Sequence, residues 1–462
     1  MRSLRLCVSS RGLVNRCLVN RRLVNRVCLS LFLLLVCWSG TGWCGVEEIP
    51  VLYKGRFRPL EAQARIASTT PNQQLHNAPL ALPTKRLSSA SWLALTAKNM
   101  TEANPTPYPD VEWGKIRKAY SSNNMDELAT LLVANYANHL AGKPYQYAEG
   151  KALYYPTMGQ MSAEGFYYKL PLLLIVALLY CLSLLFFAFP KTRRFATLIF
   201  LIAFLSHTFY LALRCYILSR PPVSNMFESV LYVPWTAALL ALVLRYTFFK
   251  SNLLLFCASL ANSVIFAILL VTKLYLEMEN VQAVLDSQYW LIIHVLMIVG
   301  SYGVFLLCGA LGHAYLAVRW IKKRHTKACD LLSKAILQTM YIGTALLIPG
   351  TILGGVWAAQ SWGRFWDWDP KESWAFISSC TYLLFIHAYT FKKISKNTLA
   401  IGSIVGLAAI TFTWYGVNYI LGTGMHSYGF SSGGEGFYYA FLGAEALLIA
   451  AAALLRKSPQ SQ

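Results

Sequence analysis

Four tryptophans and five charged residues share the thirteen-residue run WGRFWDWDPKESW at positions 362–374. Tryptophan favours the membrane–water interface, and that preference explains one or two of the four indoles. It does not readily explain four of them threaded among charged side chains. Indole faces stack on flat aromatic rings, and arginine or lysine pairs with carboxylates. The run therefore predicts a site for a large, flat ligand with acidic edges. The candidate contacts are Trp362, Arg364, Trp366, Trp368, Lys371 and Trp374.

Two of the eight histidines supply the metal-binding chemistry that such a ligand would use. His294 lies at one end of an apolar segment, four residues after Trp290, and His426 lies in the loop 422–436. Two imidazoles can ligate an iron at the centre of a macrocycle. Indoles, cations and imidazoles together predict non-covalently bound haem b. Four other histidines are expected to be solvated or interfacial: His76, His139, His313 and His325.

The last two histidines, His207 and His387, lie inside apolar segments. His387 is thirteen residues past Trp374, about 20 Å along a helix, and His207 is twelve past Phe195, about 18 Å. Both are therefore expected near the middle of a hydrocarbon core about 30 Å thick, where an ionisable group is costly and typically functional. One hypothesis is a haem ligated by one histidine from each of two spans. The alternative is a neutral histidine hydrogen-bonded to a neighbouring helix.

The composition is that of a membrane protein. Of the 462 residues, 56% are hydrophobic and only 13% are charged, about half the charged share of a soluble protein. Apolar segments follow one another from 170 to 455, and most reach the ~20 residues that a membrane-spanning helix needs. We predict an all-α, polytopic membrane helix bundle of eight spans, preceded by an N-terminal signal or anchor segment. Nine apolar segments, one more than the predicted number of spans, lie at about 170–189, 195–218, 229–249, 252–272, 290–318, 336–358, 374–391, 399–421 and 437–455.

The basic residues orient this bundle. The net charge is +21, but the cations crowd the first 26 residues and the short loops at 191–194, 319–327 and 392–396. Lysine and arginine are held on the cytoplasmic side of a membrane, so these loops are predicted to be cytoplasmic. The run 362–374 and the loop 422–436 then lie outside. The expected location is the inner (cytoplasmic) membrane. The basic residues are expected to lie at the lipid bilayer and not to bind nucleic acid.

This orientation divides the chain into four parts. Residues 1–46 are a basic leader with a signal peptide or anchor, and residues 47–165 form a small extracytoplasmic domain. Residues 166–457 are the transmembrane haem-handling domain, whose tryptophan-rich loop spans 360–374, and 458–462 are a cytoplasmic tail. None of the eleven cysteines is part of a C-x-x-C pair. The chain is therefore expected to carry neither covalent haem nor a thiol oxidoreductase site.

The run resembles the tryptophan-rich WWD motif of the haem-handling proteins of cytochrome c maturation. Its surroundings are similar to the CcsA/ResC branch, known as System II. SQYWLIIHVLMIVGSYGVF and VNYILGTGMHSYGF resemble the two external histidine segments of that branch, and WDPKESWAF followed by His387 resembles its intramembrane histidine segment. LSHTFYLALRCYILSRPPVSNMFESVLYVPW resembles its Pro-x-Ser-Asn-x-x-Glu-Ser stretch, and IPVLYKGRFRPLEAQAR resembles a sequence in extended members.

The resemblance implies roles for these residues. His294 and His426 would be axial ligands of a haem on the outer face, above a platform of Trp362, Trp366, Trp368 and Asp369. His387 would ligate a haem in transit through the membrane. The second ligand of that haem would come from a ResB-like membrane subunit, or His207 would replace it.

The implied activity is covalent, thioether attachment of haem to the C-x-x-C-H motif of apocytochrome c. The chain would be the catalytic part of a holocytochrome c synthetase (haem lyase), with no side chain assigned as acid or base. Three alternatives stay open: a haem exporter or loader of the same superfamily, a b-type di-haem electron-transfer subunit, and a non-catalytic assembly scaffold. A b-type subunit usually has two ligating histidines on one helix, whereas each candidate span here supplies one.

The loop charges predict the result of reporter fusions. Fusions after Glu372 and His426 should report an extracytoplasmic location, and fusions after Lys323 and Lys396 a cytoplasmic one, because the cations are held inside. Alkaline phosphatase and a cytoplasmic fluorescent protein at the same four positions provide opposite readouts. A cytoplasmic tryptophan-rich loop would contradict any presentation of haem on the outer face.

Overall fold

The computed structural model describes residues 156–272, 287–421 and 435–455 continuously, together with two hairpins between 50 and 154 and isolated positions from 115 to 142. The chain divides into two compact units, Met1–Tyr168 and Lys169–Gln462, and each is described by itself. The predicted leader 1–46 and His76, His139 and His426 lie outside the described residues.

The first unit contains two antiparallel hairpins. Strands β1 (Pro50–Tyr53) and β2 (Arg56–Pro59) pair with Val51 opposite Arg58. Strands β3 (Pro144–Gln146) and β4 (Ala152–Tyr154) pair with Tyr145 opposite Leu153. Helix α1 (Met158–Lys169) follows. The strands fall within the predicted extracytoplasmic domain, so they leave the prediction of an all-α bundle intact.

The second unit is a bundle of long helices. They are α2 (Leu172–Phe187), α3 (Arg193–Leu218), α4 (Met226–Leu244), α5 (Asn252–Thr272), α6 (Leu296–Lys322), α7 (Lys327–Trp362), α8 (Pro370–Thr390), α9 (Lys396–Thr411) and α10 (Glu435–Leu455). The 3₁₀ turn Pro190–Thr192 precedes α3, and the single turn Gln288–Trp290 precedes α6. Three π-helical segments extend helices of the bundle: Arg245–Phe249 follows α4, Leu291–Val295 precedes α6 and Phe412–Leu421 follows α9.

Within the described residues, seven helices are long and apolar enough to cross a membrane, and α1 with α2 makes an eighth if that pair is one span. This agrees with the prediction of a polytopic bundle of eight spans. Helix α8 has 21 residues but is less apolar and is not among the seven. Those seven spans are Pro190–Leu218, Met226–Phe249, Asn252–Thr272, Leu291–Lys322, Lys327–Trp362, Lys396–Leu421 and Glu435–Ala453.

Helix α6 is the centre of the bundle, packed against α4, α5, α7 and α9. Glycines on α6 make these contacts possible. A methyl group on Gly303 would overlap the Thr236 hydroxyl and the Val233 carbonyl of α4, and one on Gly309 would lie 2.5 Å from Leu407 Cδ2 of α9. Small residues let helix backbones approach in lipid, where packing and not the hydrophobic effect drives association.

A polar pair connects α6 to the last helix. His313 Nε2 lies 3.0 Å from Glu445 Oε2 of α10, and its Nδ1 lies 2.8 Å from the Gly309 carbonyl oxygen. The side chain of His313 is 33% exposed, so the structure leaves the expectation of an interfacial histidine open and adds a partner within the bundle. Its sequence neighbours gave no sign of a carboxylate 132 positions away.

Candidate functional site

A cavity of about 210 Å³ lies at the predicted outer end of the bundle. Five segments form its walls: residues 223–229 at the start of α4, the π-helical turn around His294 with the start of α6, the end of α7 from Thr351, the tryptophan-rich run with Ala375, and the π-helical segment Phe412–Leu421. π-Helical turns inside helices occur frequently at functional sites. The cavity brings together the predicted residues His294, Trp362, Trp366 and Lys371, and it adds Trp357 and Trp414, which sequence reasoning missed.

One hydrogen bond orients the ring of His294. Its Nδ1 lies 2.8 Å from the carbonyl oxygen of Gly350 on α7. A carbonyl oxygen only accepts, so Nδ1 carries the proton and the neutral ring has its lone pair on Nε2. A metal-binding histidine is set up in this way when a backbone carbonyl fixes the tautomer. In this tautomer, Nε2 is the ring nitrogen that can bind a metal.

Gly354 of α7 leaves the space that the ring of His294 occupies. A methyl group on Gly354 would lie 2.6 Å from Cε1 of His294, and one on Gly350 would lie 3.2 Å from Cγ1 of Ile298. The two glycines therefore let His294 and the start of α6 approach α7 closely. Trp357, one turn further along α7, packs edge-on against His294, with centroids 5.8 Å apart, and stacks on Trp290 at 6.3 Å.

The charged residues of the tryptophan-rich run fold the loop itself. Asp369 is the N-cap of α8 and accepts hydrogen bonds from the backbone N–H groups of Lys371 and Glu372. Glu372 returns the contact by accepting from the N–H groups of Asp367, at 2.9 Å, and Asp369, at 3.3 Å. This reciprocal arrangement is a capping box. Asp369, predicted to be part of a ligand platform, is thus a buried structural cap.

The two predicted carboxylate-binding cations contact the protein. Arg364 Nη1 donates to Glu372 Oε1 at 3.1 Å, and its guanidinium lies 5.5 Å from the centre of the Trp362 ring. Lys371 Nζ donates to the Trp414 carbonyl and to Asn418 Oδ1, each at 3.1 Å. Lys371 lines the cavity and Arg364 does not.

The tryptophans of the run occupy three environments. Trp366 lines the cavity, and its Nε1 is buried without a hydrogen-bond partner in the described part of the chain. Trp368 is 66% exposed and has a φ of +57°, a strained conformation for a bulky residue that is frequent at ligand sites. Trp374 packs instead against Phe412, with centroids 4.2 Å apart, and does not line the cavity.

His207 is fully buried, and both of its ring nitrogens have partners. Nε2 lies 2.9 Å from the Leu231 carbonyl oxygen and Nδ1 lies 3.4 Å from the Tyr180 hydroxyl. The ring also packs edge-on against Phe266 at 5.2 Å. With both nitrogens bonded, the arrangement matches the alternative that the sequence left open, a neutral histidine hydrogen-bonded to a neighbouring helix.

His387 lies in the last turn of α8 and not near its middle. The helix begins at Pro370, four residues before the position from which its depth was predicted. Its side chain is exposed, with Nδ1 2.7 Å from the Leu383 carbonyl oxygen. Helix α8 packs on α7 and α9, whereas His207 belongs to α3, which packs on α2, α4 and α5. The structure does not bring these two histidines together.

Glu372 is the residue on which the loop geometry depends, and this can be tested. Glu372→Ala removes the acceptor for two backbone N–H groups and for Arg364, at a cost of about 1–3 kcal/mol. Limited proteolysis should then cut within 363–369 several times faster. Asp367→Ala is the matched control, because Asp367 is 65% exposed and its 3.4 Å pair with Arg364 is worth at most about 1 kcal/mol. Equal cleavage of both variants would contradict this role of Glu372.

The chain is similar to proteins that assemble cytochrome c. Residues 223–426 match the family model described as cytochrome c assembly protein, and every described residue that lines the cavity lies in this range. Protein NrfI of Wolinella succinogenes is 36% identical over 62% of this chain and 33% of its own length. The cytochrome c biogenesis proteins CcsA of Nicotiana tomentosiformis and Trachelium caeruleum are each 30% identical, over 45% and 49% of this chain and 77% and 83% of their own lengths. The chain thus spans about a third of NrfI and over three quarters of these CcsA proteins.

Proposed function

This chain belongs to the CcsA family of cytochrome c assembly proteins, and on that premise we propose that it binds haem in the cavity beside the tryptophan-rich loop. It then presents the haem at the extracytoplasmic face of the inner membrane for covalent attachment to apocytochrome c. The observation that carries this proposal is the orientation of His294, with Nε2 as its basic nitrogen, in a cavity lined by four indoles.

The cavity residues fit haem as a substrate. His294 can hold iron through Nε2, and Trp357, Trp362, Trp366 and Trp414 offer flat aromatic surface. The buried Nε1–H of Trp366 needs an acceptor, because an unpaired buried donor costs about 1–3 kcal/mol. A ligand with polar atoms at its edge supplies one. Gly354 lets the imidazole of His294 lie close to α7.

The size of the cavity supports a site that presents haem and does not enclose it. Its volume of about 210 Å³ is below the ~300–1,000 Å³ of pockets that bury a drug-sized ligand. Only part of a haem would therefore lie inside these walls, with an edge exposed toward the client. His426, the second axial ligand in this proposal, lies outside the described residues, and its role rests on the family resemblance.

Haem supplies the reactive vinyl groups, and each thiol of the client C-x-x-C-H motif adds across one vinyl double bond, forming a C–S and a C–H bond with no net oxidation or reduction. The chain contains no C-x-x-C motif of its own, so both thiols come from the client. The side chains around the cavity hold and orient the haem. Fixing two reactants in a reactive geometry can itself contribute several kcal/mol, up to about 7–11, to barrier lowering. No acid or base is required of this chain.

His387 belongs to a second part of the proposal. Exposed side chains form one stripe along α8, at Phe376, Cys380, Leu384 and His387, with spacings of three or four residues. Such spacing places them on one face of the helix. An ionisable residue in a membrane rarely faces lipid alone. We therefore assign this face to a ResB-like membrane subunit, whose helix would supply the second ligand for a haem in transit.

A substitution with chemical rescue tests the outer site. His294→Ala should remove most of the haem that co-purifies with the protein and abolish cytochrome c maturation, because it deletes an axial ligand. Added imidazole should enter the vacated position and restore part of both. His313→Ala is the matched control, since that ring is bonded to Glu445 away from the cavity.

Two results would count against the proposal. Normal haem content in His294→Ala would remove this residue from the site. Normal haem content in wild-type protein without any thioether formation, in the presence of reduced apocytochrome c and the partner subunit, would favour the alternative of a haem exporter or loader.

A further inference from the structure

The loop that leads into α4 is folded around one buried carboxylate. Glu228 has no exposed surface, and its Oε1 accepts from Arg214 Nη2 at 2.9 Å. Its Oε2 accepts from Arg220 Nη1 at 2.9 Å, and from the backbone N–H and the hydroxyl of Ser224 at 2.9 and 2.8 Å. An ionised carboxylate offers about four acceptor positions. Four donors from the end of α3 and from the loop bond to it here, one on Oε1 and three on Oε2.

This carboxylate fixes one wall of the cavity. Val223, Ser224, Asn225 and Met226 all line it. Ser224 is attached to Glu228 directly, and Asn225 caps α4 by accepting from the N–H of Glu228 at 2.8 Å. The wall therefore cannot shift without breaking bonds to a single side chain.

The next residue along the helix fixes a second wall. The Ser229 hydroxyl donates to the Met226 carbonyl at 2.8 Å and accepts from Nε1 of Trp414 at 2.9 Å. Ser229 and Trp414 both line the cavity, and the carbonyl of Trp414 accepts from Lys371 Nζ. The indole is thus held between α4 and the first turn of α8.

Stability alone is a weak explanation for this cluster. Arg214, Arg220 and Glu228 are charged groups in a nearly solvent-free place, with side-chain exposures of 0%, 9% and 0%. Buried ion clusters are often no more stabilising than well-packed hydrophobic residues, although breaking one is costly. What the cluster does achieve is a single geometry for the loop and the indole that face the cavity.

We propose that Glu228 and Ser229 are positioning residues, which hold the loop 223–226 and Trp414 in the geometry that retains haem in the cavity. This inference rests on the proposed function, because it concerns the same cavity. Neither residue is proposed to touch iron or the reacting vinyl groups.

Ser229→Ala tests the inference with little risk to folding, since it deletes one hydroxyl. Haem should leave the purified full-length protein about two- to tenfold faster, which corresponds to the loss of one hydrogen bond. The rate is measured by transfer of haem to an excess of a soluble haem acceptor protein. Thr208→Val is the matched control, because Thr208 accepts the same kind of indole bond, from Trp235 Nε1 at 2.9 Å, and neither residue lines the cavity.

Glu228→Gln provides the second variant and should accelerate haem loss by at least about tenfold, since it removes the charge that holds both arginines.

Thermal unfolding of the haem-free proteins separates an effect on the geometry of the cavity from an effect on the stability of the fold. The inference is supported if Ser229→Ala and Thr208→Val unfold at similar temperatures but only Ser229→Ala loses haem faster. It is overturned if both lose haem at the wild-type rate, or if both lose it equally fast. If Glu228→Gln does not fold, Ser229→Ala decides alone. Wild-type protein without haem would overturn the proposed function itself, and this inference with it.

Discussion

The contact between His294 and α7 is the interaction on which the candidate haem site depends. Because Gly354 has no side chain, the imidazole lies against α7, and its Nδ1 lies 2.8 Å from the Gly350 carbonyl oxygen. That one bond sets the tautomer, which leaves Nε2 as the basic nitrogen of a ring that lines the cavity. The same approach of helices places Trp357 beside the ring. A larger residue on this surface would separate the helices and turn the ring at the same time.

The lipid environment explains why so many polar side chains are paired within this bundle. In the hydrocarbon core of a bilayer a polar group has no water to hydrogen-bond with, so it is costly unless another part of the protein supplies the partner. His207 and His313 both follow this rule, with partners on other elements for at least one ring nitrogen. Glu228 follows it with four donors. His207, His313 and Glu228 thus connect elements of the bundle, whereas His294 and Lys371 line the cavity.

The sequence predicted the bundle of membrane helices and singled out four of the residues that line the cavity, His294, Trp362, Trp366 and Lys371, because both signals are local. Apolar length decides a membrane helix, and the spacing of indoles and charges marks the loop. Long-range partners leave no such signal: Trp414 pairs with Ser229 from 185 positions away, and His313 with Glu445. The predicted depth of His387 in the membrane stays a prediction. Within α8 the histidine lies in the last turn, because the helix ends at Thr390.

The central claim is that Gly354, which has no side chain, positions His294 to ligate iron. It is tested most directly by electron paramagnetic resonance of ferric haem in purified wild-type protein and in Gly354→Ala. An added methyl group 2.6 Å from Cε1 should displace the imidazole from its position against α7, although the histidine is still present. The account predicts a low-spin signal in the wild type, conversion of most of it to high spin in Gly354→Ala, and no change in Gly443→Ala, where a methyl group meets no atom within 4 Å. An unchanged low-spin signal in Gly354→Ala would contradict it.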